Sequence, residues 1–340
     1  MKRLITIFLL LLFLTACGKT AYNSDSFSSN SFSYSSFSEA KKIPVVYCHD
    51  LLNHPSIRMS QFGFMDKANE LKIYDPQVIE TFTVPAIDQA QKIQPKGILF
   101  IIDPLYFQDF TKEISNSGVK IVLSSIEFEG EEYRELISCN PYEDPTEWFT
   151  VVAKYMLQQL SERKIEQGVI VFSRNRRYYP SFVKYIEENS DFVVVDNATV
   201  TGGDMKQSVV QQYKDDIVAV YSDDTNPDEW ETVLGNSLEE TGILYVASYE
   251  SKENLYALKK RKIQAIITVP RYEQGYVGME MLDRVLKGET FTGGEWHPML
   301  PVRTITADGT GKNGPDFYLD LWAVSYTHLR IVVEFRNLNS

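Results

Sequence analysis

Cysteine is scarce in this 340-residue chain, with three in all at Cys17, Cys48 and Cys139. That excludes a small secreted scaffold held together by several disulfides, which needs many paired cysteines. A single bridge between Cys48 and Cys139 stays open for an extracytoplasmic protein, because sequence alone cannot bring two cysteines together. Histidine is nearly as sparse, and His49, His54, His297 and His328 are scattered. There is no Gly-x-Ser-x-Gly elbow, no His-Glu-x-x-His, no phosphate-cradling glycine loop and no Cys-x-x-Cys. An enzyme is therefore not expected, and no metal or cofactor is implied. The adjacent carboxylates Asp223 and Asp224 are too common a feature to imply acid–base chemistry. Positive charge is in deficit, 34 Lys and Arg against 46 Asp and Glu, for a formal charge of −12. This excludes a nucleic-acid partner, whose phosphates need a basic face. Long apolar runs are missing too: the longest, Leu4 to Leu14, falls short of the about 20 residues that cross a bilayer core.

What the N-terminus does carry is Lys2 and Arg3, then that short apolar run, then small residues. A secretory signal has this form. Leu14-Thr15-Ala16-Cys17 resembles the lipobox of bacterial lipoproteins. The resemblance implies removal of residues 1–16, diacylation of the Cys17 thiol and a new N-terminus at Cys17. The other reading is an ordinary signal with an incidental cysteine; the scarcity and position of Cys17 favour lipidation. Several acyl chains hold a soluble domain at a membrane durably, each buried methylene contributing about 0.8 kcal/mol. From Ala21 to Ser38 the chain is mostly serine and buries too little apolar surface to offset its ordering entropy. Residues 17–40 thus read as a lipidated cysteine and a flexible tether.

About 300 residues remain, enough for two domains of about 150 each. They alternate strand and helix. Apolar runs predict strands at Ile43–Cys48, Gln77–Phe82, Gly97–Ile102, Val119–Leu123, Gly168–Phe172, Phe192–Asp196, Ile217–Tyr221, Ile243–Ala247 and Ala265–Val269. Helical spacing predicts helices at Ser56–Leu71, Ala86–Ile93, Tyr106–Ser117, Thr146–Arg163, Tyr179–Asn189, Met205–Gln212, Pro227–Glu240, Glu253–Lys260 and Gln274–Leu286. Near-continuous apolar strands alternating with helices predict an α/β protein with parallel sheets covered on both faces. Two successive runs predict two Rossmann-like lobes joined by a hinge. In such sheets the binding crevice lies past the carboxyl ends of the strands, so both lobes can face one cleft.

Several segments, in order, resemble the type I periplasmic binding fold, especially the sugar-binding lipoproteins and ribose-binding-like proteins of ABC transporters. They are Asn53-His54-Pro55 with Gly63, Gly97 to Pro104, Gly118-Val119-Lys120-Ile121-Val122, Ile217 to Asp224, Thr268 to Gly275, and Val285-Leu286-Lys287-Gly288-Glu289. The resemblance runs from about Ile43 to about Thr306. It implies an N-terminal lobe of residues 41–139 plus 271–291 and a C-terminal lobe of 140–270 plus 292–310. It implies an extracytoplasmic, monomeric solute-binding protein that closes on a small polar ligand, a sugar or a related compound, and presents it to an ABC permease. A membrane sensor such as a histidine kinase is the alternative partner.

The sequence also departs from that family. Ser56 and Ile57 stand where an aromatic pair is usual, and Ala247-Ser248-Tyr249-Glu250 replaces a Gly-Phe-Asp strand end. Val269 falls where the hinge glutamine belongs. Candidate ligand contacts are His54 after the first strand and Asp103, which can accept ligand hydroxyls or cap the next helix. Arg174 and Arg177 lie in an arginine- and tyrosine-rich loop after a strand, where guanidinium forks can hold carboxylates or phosphates. Asp223 and Asp224 can bind hydroxyls or an ammonium group, or mark a turn before Pro227. Tyr249, Glu250 and Arg271 complete the set. Ala323 to Arg330 resembles translated sequencing-adapter read-through, so residues 323–340 are read as non-native; Ile331-Val332-Val333 would otherwise suit a final strand.

Overall fold

A computed structural model describes residues 41–49, 54–80, 86–101, 117–124, 137–141, 144–173, 179–196 and 205–323. Cys17, the signal segment, the serine-rich tether and the residues after 323 lie outside them, as does the expected helix Tyr106–Ser117 apart from its last residue.

The first sheet begins with β1 (Ile43–His49), which leads into α1 (Pro55–Leu71) and β2 (Tyr74–Glu80). Then come α2 (Ala86–Ile93), β3 (Gly97–Ile101) and β4 (Lys120–Leu123). The strand order is β2-β1-β3-β4, all parallel. Cys139 bridges to Val122 at its edge. Pro145 opens α3 (Pro145–Glu162), where the Asp144 side chain accepts from the N–H groups of Thr146 and Glu147. These are two of the donors that a helix start leaves unsatisfied.

The chain continues through β5 (Val169–Ser173), α4 (Tyr179–Asn189), β6 (Val193–Asp196), α5 (Met205–Tyr213) and β7 (Ile217–Ser222). Next are α6 (Asp228–Leu234), α7 (Leu238–Thr241), β8 (Leu244–Ala247), α8 (Lys252–Lys259) and β9 (Ala265–Thr268). Then α9 (Arg271–Leu286) precedes β10 (Arg303–Ile305). The second sheet has the order β10-β9-β8-β7-β5-β6; only the β10–β9 pair is antiparallel. A further helix, α10, covers 315–323.

Each sheet is buried on both faces, as its near-continuous apolar strands require. In the second sheet Val169, Val171, Val220 and Tyr245 pack under α5, α6, α8 and α10. Their neighbours Ile170, Phe172, Ala219, Tyr221 and Val246 pack under α3 and α4. In the first sheet Val45, Tyr47 and Leu99 meet α1 and α9. Val46, Cys48, Ile98 and Phe100 meet Ala90 of α2 and Trp296. Cys48 and Cys139 therefore sit on opposite faces of one sheet, both buried and neither in a disulfide. The bridge left open by the sequence is not formed, and burial pushes the Cys139 thiol up to about 12.

Several boundaries move from their expected places. The second strand starts at Tyr74, despite Pro76, because it is the edge strand, where a missing donor costs little. The stretch Pro227–Glu240 is two helices, since Gly235 ends α6 at φ 73° and Ser237 with Glu240 opens α7 in a capping box. The packed chain also runs past Thr306: Tyr318 and Trp322 of α10 are in the core of the second sheet.

α9 is packed onto α1 at backbone distance. A Cβ on Gly63 would stand 1.9 Å from the Tyr272 carbonyl oxygen, and one on Gly275 would stand 1.7 Å from that of Ser60. Tyr272 then donates to Asp66 at 3.1 Å and Tyr276 to Glu70 at 2.5 Å. At the crossings between the sheets, the Asn140 N–H donates to the Trp296 carbonyl at 2.9 Å, and His297 Nδ1 lies 3.4 Å from the Asn140 carbonyl oxygen.

Candidate functional site

Parallel strands end where their helices begin, so polar residues collect past those ends. Serines stand there repeatedly: Ser124 after β4, Ser173 ending β5, Ser222 ending β7 and Ser248 after β8, all buried. Small side chains here let adjacent backbones extend the ladder. Asp223 N–H donates to Ser173 O at 3.1 Å and Ser248 N–H to Ser222 O at 2.9 Å.

A chain of polar contacts joins the two sets of strand ends. His54, just ahead of α1, meets Tyr249 edge-on, with ring centroids 5.1 Å apart at 87°. The next residue, Glu250, accepts the backbone N–H of Arg271 at 3.2 Å. The Arg271 guanidinium donates to Gln274 Oε1 at 3.2 Å and lies 5.9 Å from the centre of the Trp148 ring. Gln274 Nε2 in turn donates to Ser124 O, at 3.3 Å, on the first sheet. Burial, then the Arg271 charge, hold the His54 imidazole below its ordinary range. Burial pushes the Glu250 carboxyl up to about 7, against the pull of backbone N–H bonds and Arg271. A mixed set of this kind, with an imidazole, an arginine, a phenol ring and an indole, can hold a polar ligand by its hydroxyls while stacking on its apolar face.

The structure thus brings together His54, Tyr249, Glu250 and Arg271. It sends Asp224 elsewhere. That carboxylate accepts from Lys206 Nζ at 2.7 Å, Trp230 Nε1 at 2.9 Å and Ser222 Oγ at 2.5 Å. Its carbonyl accepts from Asn254 Nδ2 at 3.0 Å. It ties α5, α6 and α8 to the end of β7. Asp223 lies at the β7 end beside Ser173. Asp103, Arg174 and Arg177 lie outside the described residues.

Trp148, Gln274, Ser124 and Asn140 are not among the candidate contacts that the sequence singles out. Asn140 is fully buried, and neither its amide nitrogen nor its amide oxygen has a hydrogen-bond partner among the described residues. Gln274, expected at the start of a helix and within the segment that resembles the hinge, stands in the first turn of α9, which begins at Arg271, and faces Ser124. Serine recurring after apolar runs was the one signal that could have marked the strand ends.

No family model and no curated protein matches the chain. Solved structures do. A glucose-galactose binding protein, GanP of Geobacillus stearothermophilus, is 14% identical with TM-score 0.59, over 79% of this chain and 98% of that one. A sugar-binding protein of a sugar ABC transporter from Bacillus halodurans is 13% identical with TM-score 0.61, over 81% and 99%. The complex of the TorS sensor domain with TorT gives 16% and TM-score 0.62, over 80% and 95%. The architecture of two parallel sheets meeting at their strand ends is that of the type I periplasmic binding proteins, and this chain has that fold.

Proposed function

We propose that the protein is an exported, lipid-anchored solute-binding protein that captures a small polar ligand, a sugar or a related compound, between its lobes for ABC-type uptake. The observation that carries this reading is the contact chain from His54 through Tyr249, Glu250, Arg271 and Gln274 to Ser124, which lines the seam between two sets of strand ends. The lobes are residues 41–139 plus 271–291 and 140–270 plus 292–310, Cys17 carries the lipid, and the acting species is a monomer. The mechanism is binding without chemistry. Ligand contact favours the closed arrangement only through tighter binding to it than to the open one. Asp223, Arg174, Arg177 and Asp103 belong to this proposed ligand set by position.

A second reading, a sensor or interaction lipoprotein on the same fold, draws on two observations. Asp224 is held by Lys206 and Trp230. The likeness extends to TorT, which was solved with a sensor domain.

Thermal-shift screening against sugars, polyols, amino acids, nucleosides and small phosphorylated compounds separates the two. A solute at a hundredfold excess over its Kd adds about 2.7 kcal/mol to stability. The uptake reading expects a saturable shift with one class that weakens at least tenfold in apparent affinity in Arg271→Ala. A folded protein that no compound shifts favours the sensor reading.

A further inference from the structure

The start of α9 encloses one buried carboxyl of that contact chain, Glu250. Glu250 is 1% exposed. Its Oε1 accepts the first N–H of α9, from Arg271, where an anion meets the positive end of the helix dipole. Its Oε2 is also buried and has no hydrogen-bond partner among the described residues. From α10, Trp322 Nε1 donates to the Glu250 carbonyl at 3.2 Å.

Among the described residues, the charged and titratable groups around it come from four elements. α9 supplies Arg271 and Glu273. β10 supplies Arg303, and the turn before α10 supplies Lys312; each lies 3.1 Å from Glu273 Oε1, so both cations lean on the neighbouring carboxylate. α10 supplies Tyr318, whose phenol is held protonated by burial and by the Glu250 and Glu273 charges. The Arg271 charge also acts on His54 from the first lobe. The Arg271 cation is drawn towards Glu250 and also reaches Gln274. Burial accordingly dominates, and the carboxyl titrates at about 7.

We propose that Glu250 is a proton latch on the hinge: the packed seam holds it as the neutral acid, and parting of the lobes, by admitting water, releases its proton to solvent. The latch regulates the same seam in which ligand capture was placed, and it rests on the two-lobe reading. The sign follows from linkage. A carboxyl whose pKa is raised in one arrangement stabilises that arrangement at low pH, fully below its ordinary value and progressively less as pH rises through the raised one. Closure is therefore favoured in mildly acidic surroundings and relaxes across neutral pH.

The test uses the full chain without any solute. Spin labels on Lys92→Cys in α2 and Lys184→Cys in α4, both exposed, report the distance between the lobes. From about pH 5.5 to about pH 8 the distribution should move to longer separations, while Glu250→Gln, a permanently neutral isostere, keeps its acidic distribution throughout. Infrared difference spectra of the unsubstituted protein should lose a protonated-carboxyl carbonyl band over the same range. A distribution that does not move, or that moves equally in Glu250→Gln, overturns the latch. So does the absence of that infrared band, which needs no folded variant. Failure of the solute screen leaves this outcome untouched, so a protein that parts with pH and binds no solute keeps the latch and loses the uptake reading.

Discussion

Asp224 shows how one side chain can be claimed by structure. Burial alone pulls the Lys206 pKa down, but hydrogen bonds to Asp224 and Glu229 outweigh it and raise it. The ammonium and the Asp224 carboxylate are each about one-sixth exposed. Trp230, fully buried, depends on the same carboxylate for its indole N–H. Asp224→Ala should therefore cost about 2 kcal/mol, because a buried donor and a largely enclosed cation both lose an acceptor. Asp224→Asn keeps an oxygen for Trp230 and should cost about half that. Urea unfolding of the two variants measures the difference; equal, negligible losses would mean the network contributes nothing.

At the scale of elements, the α1–α9 contact sets how α9 leaves the seam. Both glycines lie where a methyl group would meet a carbonyl oxygen of the facing helix. No rotamer relieves a backbone clash, so the helices must separate. Gly63→Ala and Gly275→Ala should each cost about 3 kcal/mol or more, at the upper end for overpacking. The double variant should cost less than the sum, because one separation relieves both. Equilibrium unfolding of the three proteins tests this, and additive small losses would show that the helices yield freely. Separation also pulls Tyr272 and Tyr276 from Asp66 and Glu70, the hydrogen bonds that fix the helix along its length.

For the whole molecule, α10 closes the second lobe. It places Tyr318 and Trp322 in the core, pairs Lys259 with Asp316 at 2.7 Å and covers Glu250. A chain ended after Gly314 gives up both aromatics and should lose several kcal/mol, each buried aromatic carrying about 3–5 kcal/mol when truncated. A chain ended after Ala323 should keep its unfolding midpoint, in line with the reading of the residues beyond as non-native. Denaturant midpoints of the two forms beside the full chain decide this; equal midpoints for all three would remove α10 from the core.

The sequence by itself determined the fold class. Runs such as Gly97–Ile101 and Val169–Ser173 are apolar at every turn of the pleat or nearly so, which only a sheet buried on both faces satisfies, and helical spacing between them supplied the cover. Caps are local too, yet the expectation of one helix over Pro227–Glu240 misses the box that Ser237 and Glu240 form and the stop at Gly235. The site was legible only in part. His54, Tyr249, Glu250 and Arg271 could be named from their positions after strands. Their roles could not, because pattern does not say which way a carboxylate turns. Asp223 and Asp224 are neighbours in sequence, yet Asp224 turns to Lys206 and Trp230, each brought to it by a separate helix. Tertiary packing alone decided that Glu250 would lie against the start of α9, that Gly63 would meet Tyr272, and that Cys48 and Cys139 would face away from each other. Those outcomes depend on contacts between distant segments, and their energies arise only when both partners lose water together.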